Sequence, residues 1–305
     1  LKHYPFYETI YDGRYKSTLL MCGRQVAKST SLANFIITES ISIPFFNSYY
    51  VSPSKEQTLI FSNTRLGKTL SYSPLVKKHF QSPEHADRVL LRSYTNGSEN
   101  AFTYACDDAD RARGFSADRV LYDEFQDMLY DTVVPVINEC MANSTKGKFE
   151  TYAGPPKTME ASIEFLWGKS SQSEWVMKCS GCAKYNCVMS EKSVGKTGPI
   201  CLHCGKVLDP RTGFWVDMMK PDPDPKVRQI KGFHIPQLIM PLNVPIANPG
   251  DEAKAQERWD DILNKMNMYS PAKFRNEVLG VSDAIGKRLI SLEELQALCT
   301  GTPNS

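Results

Sequence analysis

With 305 residues, 41% of them hydrophobic, the chain is globular and long enough for one large domain or a domain with a smaller appendage. No run approaches the roughly 18 apolar residues of a membrane span, and no basic start leads into an apolar signal region, so no membrane or targeting segment is expected. The net charge of +2 is too small to argue by itself for a nucleic-acid partner.

From residue 17 to about 154, short β-rich runs alternate with helix-like segments. "STLLMC", "SYYVSP", "AFTYAC", "DRVLYDE" and "KFETYAG" read as strands, with helices near 28–41, 55–69 and 128–143. The alternation predicts an α/β fold, a mainly parallel sheet with helices on both faces. "DRVLYDE" is apolar without strict alternation, as expected of a strand buried on both sides.

The first strand runs into "CGRQVAKST", which has the form of a phosphate-binding loop opening a helix. Such loops surround an anion with backbone N–H groups and a helix N-terminus, neutralise it with Lys, and hold Mg²⁺ through a Ser/Thr hydroxyl. Gly23, Arg24, Gln25, Val26, Ala27, Lys28, Ser29 and Thr30 are therefore the candidate nucleotide-binding residues. Lys28 and Ser29 fit the pattern, whereas Cys22 and Ala27 stand where it has glycine. At the end of "DRVLYDE", Asp123 suits a Mg²⁺ ligand and Glu124 a group that polarises the attacking water. The alternative is an exposed turn. The 95 residues between Lys28 and Asp123 leave room for a strand between the two motif strands. In "TYAGPP", Thr151 and Gly154 are candidates for sensing the γ-phosphate and coupling hydrolysis to motion, against a plain Gly-Pro turn.

From 175 to 216 the texture changes and predicts a small independent module. Cys179-x₂-Cys182 and Cys201-x₂-Cys204 are separated by 18 residues, the spacing of a four-cysteine zinc ribbon whose closed tetrahedral site is structural. Cys187 and His203 have no partner at that spacing. Cys22, Cys106, Cys140 and Cys299 read as core thiols. Six Lys/Arg of this module face two acidic residues, which suits a DNA or partner surface as well as a solvated basic face.

"MKPDPDPKVRQ" is a turn-rich link, and "IKGFHIPQLIMPLNVPIANPG" is strand-like but interrupted by Pro236, Pro241 and Pro245. A long helix follows at 252–267, with Trp259, Ile262 and Leu263 on its apolar stripe. Ser270–Pro271 starts another helix, and Ser291 with Glu294 forms a capping box for a last one. The division expected is 1–174 as ATPase core, 175–216 as inserted ribbon, and 217–305 as a return segment and C-terminal helical subregion.

"GRQVAKS", "LYDEFQD", "TYAGPP", the four-cysteine insertion and "GFHIPQLIMP" together resemble the ATPase part of the large terminase of tailed bacteriophages, in its lambda-like, ribbon-bearing variety. The resemblance spans essentially the whole chain. It implies a P-loop NTPase fold of the RecA/ASCE kind and ATP hydrolysis with Mg²⁺ that drives double-stranded DNA into a procapsid. It further implies a structural Zn²⁺, a homo-oligomeric ring, portal protein and small terminase subunit as partners, and the host cytoplasm as location. It gives Arg24 a γ-phosphate contact in cis and lets Arg111 or Arg113 reach a neighbouring subunit. It also makes "HYPFYE" the adenine-contacting segment, with Tyr4 and Phe6 alternatively in the core. Ala27 departs from the family's usual glycine and is expected to weaken binding. The start at Leu1 and the end at "GTPNS" suggest a piece of a longer protein. Residues 280–305 offer only Asp283, Glu293 and Glu294, so no nuclease activity is expected. The rival readings are a helicase-like ATPase and a zinc-ribbon nucleic-acid-binding protein with a decayed ATPase site.

Overall fold

The computed structural model describes residues 4–12, 15–79, 88–109, 114–158, 161–224, 227–240 and 250–282. The described strands are β1 (Ser17–Cys22), β2 (Ser48–Ser52), β3 (Leu91–Ser93), β4 (Glu99–Tyr104), β5 (Arg119–Asp123), β6 (Phe149–Gly154), β7 (Ser173–Lys178), β8 (Tyr185–Asn186), β9 (Phe214–Asp217) and β10 (Lys231–Ile235). They form one sheet in the order β3-β4-β2-β5-β6-β1-β10-β7-β8, with β9 paired to β7. The central strands from β4 to β7 run parallel, while β3, β8 and β9 pair antiparallel at the margins.

All five strands expected from the sequence are present, as is a strand between the two motif strands. That strand is β6, hydrogen-bonded to β1 on one side and β5 on the other. It follows β5 in the chain, so the interval between Lys28 and Asp123 is not what makes room for it.

Helices α1 (Phe6–Asp12), α2 (Lys28–Ser42), α3 (Lys55–Ile60), α4 (Gly67–Ser71), α5 (Pro74–His79), α6 (Tyr130–Asn138) and α7 (Ser162–Gly168) accompany the sheet. A π-helical turn over Phe61–Leu66 joins α3 to α4. α8 (Asp251–Met268) and α9 (Pro271–Phe274) form the C-terminal subregion, and the Ser270 hydroxyl caps α9 by accepting the amide of Lys273 at 3.3 Å. The expected capping box at Ser291 and Glu294 lies outside the described residues.

The sheet is buried on both faces because successive side chains of its central strands enter different cores. Leu20, Leu121 and Ala153 join the cluster beneath α1 and α2, whereas Leu19, Tyr122 and Tyr152 join the one beneath α6 and α7. The ribbon is continuous with the first of these. Its flanking strands β7 and β9 belong to the main sheet, and Cys179 and Cys201 pack in the same apolar cluster as Trp259 and Phe274. A module this small gains most of its apolar burial by sharing a neighbour's core.

Candidate active site

β1 and β5 are parallel, so the turn after Cys22 and the turn after Asp123 meet at the same carboxyl edge of the sheet, where α/β folds place ligands. There Lys28 Nζ lies 2.8 Å from Asp123 Oδ1 and 2.5 Å from Glu124 Oε1. Asp123 is further held by the Tyr50 hydroxyl at 2.9 Å and by the Glu124 amide at 3.0 Å. Gln126 donates to the second Glu124 oxygen at 2.9 Å.

Burial alone would lower the Lys28 pKa, but the two carboxylates outweigh it and hold the ammonium above its ordinary value. For Glu124, burial pushes the other way and the Lys28 charge prevails, so its pKa is lowered. The Cys22 thiol is pushed up to about 12 by burial, which leaves it neutral and inert.

Backbone strain marks the same place. Gln25, Ala27 and Glu124 have φ of 58°, 63° and 53°, three of the six non-glycine residues with positive φ among the described residues. Such conformations persist where surrounding contacts over-determine them. Ala27, the residue before α2, takes a left-handed conformation that favours glycine. The loop is fastened from behind. Tyr7 donates its hydroxyl to the Val26 carbonyl at 2.7 Å, the Gly23 amide donates to Ile235, and the Arg24 amide donates to the Glu277 carbonyl at 2.7 Å. A Cβ on Gly23 would stand 2.7 Å from the Val278 carbonyl, so this glycine answers to the C-terminal segment. The first-turn amides of α2 have no intrahelical acceptor, and their residues Lys28, Ser29 and Thr30 line the adjoining cleft.

The loop opens on a cleft of about 880 Å³, lined by Gly23 to Thr30, Glu124 and Tyr4 on one side and by α8 on the other. Ser29 lines it without a hydrogen-bond partner among the described residues. Ser29 and Asp123 are hard oxygen donors of the kind Mg²⁺ takes, but Asp123 is not among the cleft-lining residues and its two oxygens are held by Lys28 and Tyr50. Arg24 is largely exposed, 3.6 Å from Glu277. Tyr4 lines the cleft, whereas Phe6 is in the core, edge-on to Trp175.

Gly154 ends β6 against the turn that follows Asp123: a Cβ there would meet Gln126 Oε1 at 2.2 Å. Thr151 lies deeper. It is fully buried and accepts from Arg119 Nη1 at 2.9 Å, and Arg119 forks onto both Glu39 oxygens at 2.6 Å. Thr151 does not line the cleft. Arg111 and Arg113 lie outside the described residues. Tyr50, Gln126, Glu277 and the polar α8 residues Glu257, Arg258, Asp261 and Lys265 are not among the site residues the sequence offers. Only Gln126 had a local signal, its place in "LYDEFQD".

In the ribbon, the Sγ atoms of Cys179, Cys182, Cys201 and Cys204 all lie within 4.8 Å of one another. The Cys179–Cys204 and Cys182–Cys201 pairs are 3.6 Å apart, too far for a disulfide and close to the edge of about 3.8 Å that Zn–S bonds of about 2.3 Å give in a tetrahedron. The Gly181 and His203 amides point at Cys179 and Cys201 Sγ from 3.3 and 3.4 Å and stabilise thiolates. Cys187 and His203 are not in the cluster. Cys106, expected in the core, is exposed and donates to the Asp127 carbonyl, because β4 ends two residues earlier.

A phosphate loop on β1, an acidic pair ending β5 and an intervening β6 define a P-loop-type ATPase domain. Over residues 5–218 the sequence matches the family described as phage terminase large subunit gpA, ATPase domain. The chain belongs to that family. Among solved structures it is similar to the Thermus phage P74-26 large terminase ATPase domain, with 14% identity, a TM-score of 0.53, and 90% of this chain and 91% of that one covered. The HK97 bacteriophage large terminase aligns over 92% of this chain and 50% of its own, at 10% identity and a TM-score of 0.49. At 14% identity the likeness to the Thermus phage domain concerns the fold alone. No curated protein matches. Among the described residues no helix is long and apolar enough to cross a membrane.

Proposed function

We propose that the chain is the ATP-hydrolysing motor domain of a lambda-like viral large terminase, coupling hydrolysis to translocation of double-stranded DNA into a procapsid. The observation that carries this reading is that Lys28 Nζ lies within 2.8 Å of a carboxylate oxygen of both Asp123 and Glu124, beside the cleft that Lys28 and Glu124 line. The left-handed conformation of Ala27 supports a working loop rather than a decayed one, since the departure from glycine keeps glycine's geometry.

Lys28 shifts from the carboxylates to the outer phosphates of ATP, assisted by the loop amides. Ser29 and Asp123 would hold Mg²⁺, and the ion would supply shielding of the phosphate charge. Glu124, freed from Lys28 and oriented by Gln126, accepts a proton from the attacking water. Arg24 contacts the γ-phosphate in cis, and Arg113 serves a neighbouring subunit in a homo-oligomeric ring. Gly154 transmits the state of the catalytic turn through its close approach to Gln126. Thr151 does so through Arg119 and Glu39, which join β5 and β6 to the second half of α2. Portal protein, small terminase subunit and DNA are the partners this role requires, in the cytoplasm of the host.

The test is steady-state ATP hydrolysis over a wide range of protein concentration, native against Glu124→Ala. Activity that rises more than proportionally with concentration and disappears in the variant is expected. Equal hydrolysis by both proteins would remove Glu124 from the mechanism.

A further inference from the structure

The ribbon and the nucleotide cleft lie at opposite ends of a continuous set of contacts. α8 is the outer wall of the cleft, to which it contributes Arg258, Asp261, Ile262 and Lys265. Arg258 has no ion-pair partner among the described residues, while Lys265 is shared between Asp261 and Gln237. α8 is a polar helix with an apolar stripe of Ala255, Trp259 and Ile262. The centre of that stripe, Trp259, is fully buried, and its indole N–H donates to the Gly195 carbonyl of the ribbon at 2.9 Å.

Gly195 sits in a turn that leaves no freedom. Its amide donates to the Gly198 carbonyl, Ile200 returns to Ser193, and a Cβ on Gly195 would stand 2.3 Å from Ile200 Cγ2. Ile200 then pairs with Val207, across the knuckle formed by Cys201 and Cys204. A second strut runs from the same loop, where Arg275 Nε meets Glu191 at 2.8 Å. Two residues beyond Arg275, the Glu277 carbonyl holds the Arg24 amide of the phosphate loop.

We propose that the four-cysteine ribbon sets the width of the nucleotide cleft in cis. The 190–200 loop, which lies between the two cysteine knuckles, docks α8 through Trp259, which is a positioning residue for the cleft-lining side chains of α8. The inference rests on the reading of the cleft as an ATP site. In that reading a small module far from the chemistry serves nucleotide affinity, and the Asp123–Glu124 turn is unaffected by it.

The experiment is calorimetric titration of the full chain with Mg·ADP, alongside zinc analysis and ATPase kinetics. Trp259→Phe keeps the ring and removes the donor. If α8 keeps this buried hydrogen bond, worth about 1 kcal/mol, only in its binding position, losing the bond weakens binding by up to roughly fivefold. We expect that loss in ADP affinity, the same factor in KM for ATP, kcat within about twofold of native, and about one zinc per chain throughout. Glu191→Gln, which removes a half-exposed charge and should leave folding intact, is expected to weaken ADP binding in the same direction. Stripping zinc with a chelator should weaken it at least as much as Trp259→Phe, and added Zn²⁺ should restore it. Unchanged ADP affinity in both variants at full zinc content overturns the inference and leaves the ATP site standing. A drop in kcat with KM unchanged overturns it too. Failure of the native, zinc-loaded chain to bind ADP overturns both readings.

Discussion

Ala27 is the position at which strain and function can be separated. It holds φ 63° and ψ 19° immediately before α2, a conformation that costs a residue with a Cβ roughly 1–2 kcal/mol. Ala27→Gly removes that cost, and the greater freedom of the unfolded chain returns about 0.4–1 kcal/mol of it. The Ala27 methyl is half-buried against the apolar cluster under α2, so its loss offsets a further few tenths. The expected net is a stabilisation of about 0.5 kcal/mol, or a rise of about 1–2 °C in Tm for a chain of this size. Ala27→Val is the opposite perturbation, because a β-branched side chain is a severe outlier at positive φ. It should lose on the order of 2 kcal/mol, within the range for enforced backbone strain. Denaturant unfolding of the three proteins at one pH gives the ordering Gly, Ala, Val from most to least stable. A valine variant as stable as the native chain, or a glycine variant less stable by more than 1 kcal/mol, would refute the assignment of strain to this residue.

Arg119→Met strands the carboxylate of Glu39, whose one charge partner among the described residues is the bidentate Arg119 fork. A loss of about 3–5 kcal/mol is expected by urea denaturation, and much of it should return when Glu39→Leu is added. If the double variant is no better than the single one, the cost lies in Arg119 packing against Phe35 and Phe149. His234 is fully buried, with Nδ1 at 2.7 Å from Glu174 and Nε2 at 2.7 Å from the Leu279 carbonyl, so both nitrogens face acceptors. Burial alone would lower its pKa, but Glu174, the Leu279 carbonyl and Glu164 raise it overall. Its stabilisation is thus complete below the unfolded value of about 6.5 and is lost as pH rises through the higher folded value. Stability of the native protein should fall across that interval relative to His234→Gln. A native-minus-variant difference that grows with pH would contradict this.

The sequence by itself determined the parts whose signals are local. A strand, a turn and Lys-Ser at a helix start need only neighbouring residues, and so do a buried strand closed by Asp123 and Glu124 and two Cys-x₂-Cys knuckles. Those signals located the loop, the acidic pair and the metal ligands to the residue. Tertiary structure decided what depends on contacts between distant segments. Thr151 and Gly154 are three residues apart on one strand, yet only Gly154 reaches the Asp123–Glu124 turn, because Thr151 lies mid-strand beneath α2 with Arg119. Tyr50 reaches Asp123 across 73 residues, and the Gly195 carbonyl receives Trp259 across 64. Trp259 was legible as apolar stripe and its burial followed. The partner it would meet was not, because periodicity reports that a face is covered and carries no information on what covers it.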